Sequence, residues 1–90
     1  MIIKLYFVYV IENQTDKSWY IGFSTDIARR LEEHNKRIGG FYTKHKLGKW
    51  ALIYTEGYAN KKDALGREKY LKSGAGRKYL QKQLTNYILE

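Results

Sequence analysis

The run Lys-Leu-Tyr-Phe-Val-Tyr-Val-Ile-Glu, from Lys4 to Glu12, constrains the fold most. It is almost continuously apolar and aromatic, without the alternation of a strand that faces water on one side. Such a strand is buried on both faces and belongs at the centre of its sheet. Asn13 to Ser18 is polar and has the Asn, Asp and Ser of a hairpin loop; Trp19, Tyr20, Ile21 and Phe23 follow as β-formers. The two strands should pair antiparallel, which brings Tyr9 and Tyr20 near each other. Gly22 lies inside the second strand, where a glycine marks a bulge or a close backbone approach by a neighbour or ligand.

Ser24-Thr25-Asp26 both breaks that strand and caps a helix beginning at about Ile27. At about 100° per residue, Ile27, Leu31 and Ile38 form one apolar stripe, with Arg30 and His34 on its shoulder. Arg29 and Glu33, four apart on the far side, can pair in solvent. Of two adjacent arginines, Arg30 is therefore the one held against the protein body.

The segment from Lys36 to Lys49 carries Lys36, Arg37, Lys44, Lys46 and Lys49 among Phe41, Tyr42 and His45, with Gly39, Gly40 and Gly48. A loop of this length in so small a chain is usually functional, and mixed basic and aromatic side chains suit a nucleic-acid backbone. Trp50 to Tyr58 reads as a third strand. Asn60 caps a helix from Lys61 to about Ser73, with Asp63 in a capping-box-like position and Gly74-Ala75-Gly76 as its end. Ala64, Leu65, Leu71 and Ala75 make its apolar face, with Glu68 in the middle. A carboxylate there needs a charge, hydrogen bonds or a metal; the structural alternatives are an ion pair with Arg30 or a side chain reaching out past the helix edge. A final amphipathic helix, Arg77 to Leu89, turns Leu80, Leu84, Tyr87 and Ile88 inward, and Arg77, Lys78 and Lys82 extend the basic surface.

Ninety residues make one domain, taken as 1–90, with a modest core. The absence of cysteine excludes a disulfide framework and a thiolate metal site, and two histidines argue against zinc. No apolar run is long enough to span a membrane and no signal peptide is visible, so a soluble cytoplasmic protein is expected. The net charge of +8 points to an acidic partner, most often nucleic acid.

With these residues in order, the chain resembles the GIY-YIG nucleases, in particular their small stand-alone bacterial members, from about Leu5 to Leu80. The first family tripeptide corresponds to Phe7-Val8-Tyr9 and the second to Tyr20-Ile21-Gly22. Arg30 stands eight residues after that glycine, at the family's catalytic arginine; His34 and Asn35 end the same helix. Glu68 falls at the family's metal-binding glutamate. Two positions depart: Phe7 replaces a glycine with no chemical role, and Phe23 stands where some repair-type members have a lysine.

The resemblance implies an α+β fold, a small three-stranded antiparallel sheet flanked by helices in the order ββαβαα, as the elements above suggest independently. It also implies cleavage of DNA by a divalent-metal-dependent endonuclease, with repair or processing of branched or single-stranded DNA as its setting. Glu68 suits one Mg²⁺ or Mn²⁺, completed by waters and phosphate oxygens. Arg30 suits phosphate charge, and Tyr9, Tyr20 or His34 is the candidate base. Lys36, Arg37, Lys44, Lys46, Lys49, Arg77 and Lys78 are the candidate DNA contacts, and the expectation is either cleavage with little sequence preference or targeting supplied by a protein partner. Two other classes stand beside this one: a nucleic-acid-binding module that has lost cleavage, and an interaction domain with incidental basicity.

Overall fold

The computed structural model describes residues 3–37 and 46–90. The expectations attached to Ile38, Gly39, Gly40, Phe41, Tyr42, Lys44 and His45 lie outside the described residues. Three strands, β1 (Tyr6–Asn13), β2 (Trp19–Ser24) and β3 (Trp50–Tyr58), form one sheet in the order β2-β1-β3. Both pairings are antiparallel, with Tyr9 opposite Gly22 on one side and Thr55 on the other. The apolar run is the central strand, as its lack of alternation required.

Because successive side chains point to opposite faces, β1 supplies two cores. Val8 and Val10 face a cluster with Ile21, Ala64, Leu71 and Leu80, while Tyr9 and Ile11 pack with Trp50, Ile27 and Leu31. The first face is covered by α2 (Lys61–Leu71) and α3 (Gly74–Gln83), the second by α1 (Ile27–Asn35). Asn13, fully buried at the end of β1, donates to the Leu47 carbonyl and accepts from the Thr15 and Asp16 amides. It thereby ties the hairpin turn to the entry of β3. Among the described residues no helix is long and apolar enough to cross a membrane.

The helices differ from expectation at two joints. Gly74-Ala75-Gly76 does not end α2; Ser73 caps α3, its Oγ accepting from the Gly76 amide at 3.1 Å. Gly76 is buried because α3 starts directly against α2: a Cβ there would lie 2.0 Å from the Tyr70 carbonyl oxygen. The last helix also breaks, at Leu84, into α3 and a short α4 (Thr85–Leu89). The Thr85 hydroxyl donates back to the Gln81 and Lys82 carbonyls, a local bond that competes with continued winding. Tyr87 and Ile88, expected inward, are consequently 41% and 48% exposed.

The face of α2 is also rotated from expectation. Ala64 and Leu71 are buried, while Leu65 is 40% exposed and Ala75 lies beyond the helix on the surface. The contact seam runs along Ala64 and Leu71, so Glu68 sits on its shoulder rather than mid-face. Its side chain is 19% exposed and pairs with Lys72 at 3.0 Å, and Arg30 pairs with Glu33, so an Arg30–Glu68 ion pair is not formed.

Candidate active site

The site is built on the face of the sheet that carries α1. Tyr9 on β1 and Gly22 on β2 are directly opposed, so their side-chain positions share a face. The missing Cβ of Gly22 is the space into which the Tyr9 ring leans: an added Cβ would meet the Tyr9 hydroxyl at 2.4 Å. The glycine thus marks a close approach, by a neighbouring side chain rather than by backbone. Tyr20 faces the same way, its ring centroid 6.4 Å from that of Tyr9.

Helix α1 brings the other groups. The Asp26 side chain caps it by accepting from the Arg29 amide at 3.0 Å, and Ile27 and Leu31 seat it on the Tyr9–Ile11–Trp50 core. Its far end is pinned by Asn35, whose side-chain amide donates to the Trp50 carbonyl at 3.1 Å and accepts from the Trp50 amide at 2.7 Å. Between these anchors His34 is fully buried, with Nε2 2.8 Å from the Tyr9 hydroxyl and its ring edge-on to Tyr20 at 5.0 Å. Arg30, one turn earlier, is 25% exposed against 56% for Arg29. The helical phase separated the two arginines correctly. It did not show that Glu33 holds both, at 3.0 Å from Arg30 and 2.9 Å from Arg29; the i+3 and i+4 spacings were the available signal.

Burial shapes the chemistry. It pushes the Tyr9 phenol up to about 12, against a partial pull downward from the Arg30 charge. It drives His34 down to about 4, and Arg30 adds to the shift. Arg30 is raised: burial opposes its charge, but its hydrogen bonds to Glu33 and Tyr9 prevail. The Arg30 charge acts on the Tyr9 oxygen, and the neutral His34 Nε2, 2.8 Å away, can accept the phenol proton when its other ring nitrogen carries the imidazole hydrogen. Glu68, reaching over from α2, is close enough for its charge to act on Tyr9 as well. Four candidates on three elements (Tyr9, Tyr20, Arg30 and His34) therefore share one neighbourhood with Gly22, and Glu68 acts on Tyr9 by charge from a fourth.

Beside Arg30 a cleft of about 320 Å³ is lined by Phe23, Ser24, Thr25, Arg29 and Glu33. Among the described residues the candidate DNA contacts do not gather around it. Lys36 pairs with Glu32, Lys46 with Asp16 at 2.8 Å, and Arg37 reaches the Gly48 carbonyl at 3.4 Å. Lys49 is exposed, and Arg77 and Lys78 are exposed on α3, over the opposite face of the sheet. A larger cavity of about 680 Å³ also lies away from the site, between Glu12, Trp19, Arg77 and Tyr87.

Comparison with known proteins bears on the family and the fold. The model of the GIY-YIG catalytic domain matches residues 5–81. A UPF0213 protein of Streptococcus pneumoniae is 44% identical over 66 residues, which is 73% of this chain and 65% of that protein. The chain thus spans a little under two thirds of that relative. A UPF0213 protein of Staphylococcus aureus is 37% identical over 76 residues, 84% of this chain and 90% of the relative. The solution NMR structure of a UPF0213 protein from Bacillus halodurans superposes with a TM-score of 0.52 at 32% identity, covering 92% of this chain and 84% of that one. The central strand, the Tyr9–Gly22 pairing and these matches lead to one conclusion: the chain belongs to the GIY-YIG catalytic domain family.

Proposed function

We propose that this chain is a divalent-metal-dependent endonuclease that hydrolyses DNA phosphodiester bonds. The observation that carries the reading is the convergence of Tyr9, Tyr20, Arg30 and His34 beside Gly22, with Glu68 in electrostatic reach of Tyr9.

The donor set fits a magnesium-type ion. Among the described residues no three of His, Cys, Asp and Glu cluster into a closed cage. Mg²⁺ does not need one, because it keeps several waters and takes one or two carboxylates plus substrate phosphate oxygens. Glu68 is a largely buried carboxylate, and among the described residues its ion pair is with the half-exposed Lys72. When bound, the ion supplies charge neutralisation at the phosphate and makes a coordinated water more acidic.

The chain's own groups do the rest. Arg30 has five donors and spends part of them on Glu33 and Tyr9, leaving others for a phosphate oxygen as negative charge builds on it. Tyr9 and His34 act as a relay. As the attacking water gives its proton to the Tyr9 oxygen, Tyr9 passes its own proton to His34 Nε2, so no free phenolate is formed. This route avoids a free phenolate and starts from neutral His34. The burial and the Arg30 charge that keep it neutral also oppose the imidazolium, so the proton is held there only while the phosphate charge builds nearby. Tyr20, against the His34 ring, shapes the water's approach.

The test is incubation of the chain with single-stranded, duplex and branched DNA, with and without Mg²⁺ or Mn²⁺, beside Arg30→Ala. Metal-dependent cuts that Arg30→Ala fails to make support the reading. Salt-sensitive DNA binding without cuts on any substrate would instead favour a binding module.

A further inference from the structure

Helix α2 is seated on the core by two fully buried side chains, Ala64 and Leu71, and Gly66 stands in open space in its middle. A polar assembly holds one of its shoulders. The Arg67 guanidinium grips Glu56 of β3 with both prongs, Nε to Oε1 at 2.8 Å and Nη2 to Oε2 at 3.0 Å. Glu56 also accepts from the Tyr54 and Tyr58 hydroxyls, so Tyr-x-Glu-x-Tyr on one face of β3 converges on a single carboxylate. The guanidinium lies over the rings of Tyr70 and Tyr79, 5.1 and 4.7 Å from their centroids. Both charged side chains are mostly buried, 26% and 15% exposed. Paired Arg forks desolvated in this way are geometrically demanding contacts.

At about 100° per residue, Arg67 and Glu68 occupy opposite shoulders of the Ala64–Leu71 seam. Ala64 and Leu71 seat α2 along nearly one line, so the freedom left to it is roll about its axis, which contacts on its shoulders limit. A clamp on one shoulder removes that freedom and so fixes what the other shoulder presents. We propose that the Glu56–Arg67 pair is the positioning element for Glu68, holding the roll of α2 so that the Glu68 carboxylate is presented towards the site around Tyr9 and thereby setting the affinity for the divalent cation. The inference rests on the reading of Glu68 as the metal-holding carboxylate.

The experiment titrates Mn²⁺ into the full chain with a short phosphorothioate-linked duplex that resists cleavage, counting free Mn²⁺ by EPR. Arg67→Lys keeps the charge but loses the fork; Glu56→Gln keeps the shape but loses the charge. Both should weaken Mn²⁺ binding about tenfold or more, the usual effect of losing an outer-shell partner. Metal-free DNA affinity should hold, and Lys62→Ala, on the exposed side of α2, should bind Mn²⁺ normally. Thermal melts confirm folding at the assay temperature, and Glu56→Gln carries the comparison should Arg67→Lys fail to fold. Affinity within about twofold of the wild type in both clamp variants, with Glu68→Gln losing the ion, overturns the positioning role alone. Undiminished Mn²⁺ binding by Glu68→Gln overturns the metal reading, and the positioning role with it.

Discussion

A methyl group at position 22 would lie 2.4 Å from the Tyr9 hydroxyl and 2.5 Å from its ring carbon. Tyr9 is buried and bonded to His34, so it has nowhere to yield without breaking that bond. Gly22→Ala should cost about 1–3 kcal/mol in a thermal melt, as overpacking does. It should lower cleavage on the order of a hundredfold, since reacting groups tolerate little displacement. His34 gives a second residue-level test. Its folded value of about 4 lies below the ordinary 6.5, so between those values the unfolded chain binds a proton that the folded chain refuses. Stability is therefore complete above about pH 6.5 and falls as the pH drops towards 4, by roughly 3 kcal/mol in all. Melts of wild type and His34→Gln across pH 4–7 should differ in this decline, which the variant lacks. At this scale the sequence was informative where spacing alone decides, as in the contrast of Arg29 with Arg30. The Tyr9–His34 bond spans 25 residues and no local pattern encodes it.

At the scale of elements, the strands were legible because β1 is apolar on both faces and its partners are bounded by turn residues. The joints of the last helices were not. Glycines at 74 and 76 read as a helix end, yet Gly76 is there so that α3 can start against the backbone of Tyr70 and Leu71. Whether a glycine ends one helix or admits the next depends on what packs against it, which lies outside the local sequence. The same logic separates two substitutions. Gly76→Ala should destabilise by several kcal/mol, because a Cβ 2.0 Å from a backbone oxygen cannot be absorbed by a side-chain rotation. Gly66→Ala, with nothing within 4 Å, should stabilise by about 0.5–1 kcal/mol through helix propensity. Urea melts of the two variants give both signs in one experiment.

Over the whole molecule, charge is distributed unevenly. Eight of the 17 Lys and Arg and three of the 9 Asp and Glu lie from Lys61 onward, a net +5 of the total +8. On the α1 side Arg29, Arg30, Lys36 and Lys46 are each paired with a carboxylate, a partition that composition does not reveal. Arg77→Ala with Lys78→Ala should therefore flatten the salt dependence of DNA binding, by up to about two in the log–log slope. An unchanged slope would move the DNA off α3. The central claim is that Glu68 holds a metal for DNA cleavage, and one substitution tests it most directly. Glu68→Gln keeps the shape, and its partner Lys72 is half exposed, so stability should change by no more than about 0.5 kcal/mol. In a nicking assay with Mn²⁺, beside a melt of the same sample, a folded Glu68→Gln protein should bind DNA and fail to cut it. A folded variant that cuts at the wild-type rate would contradict the account.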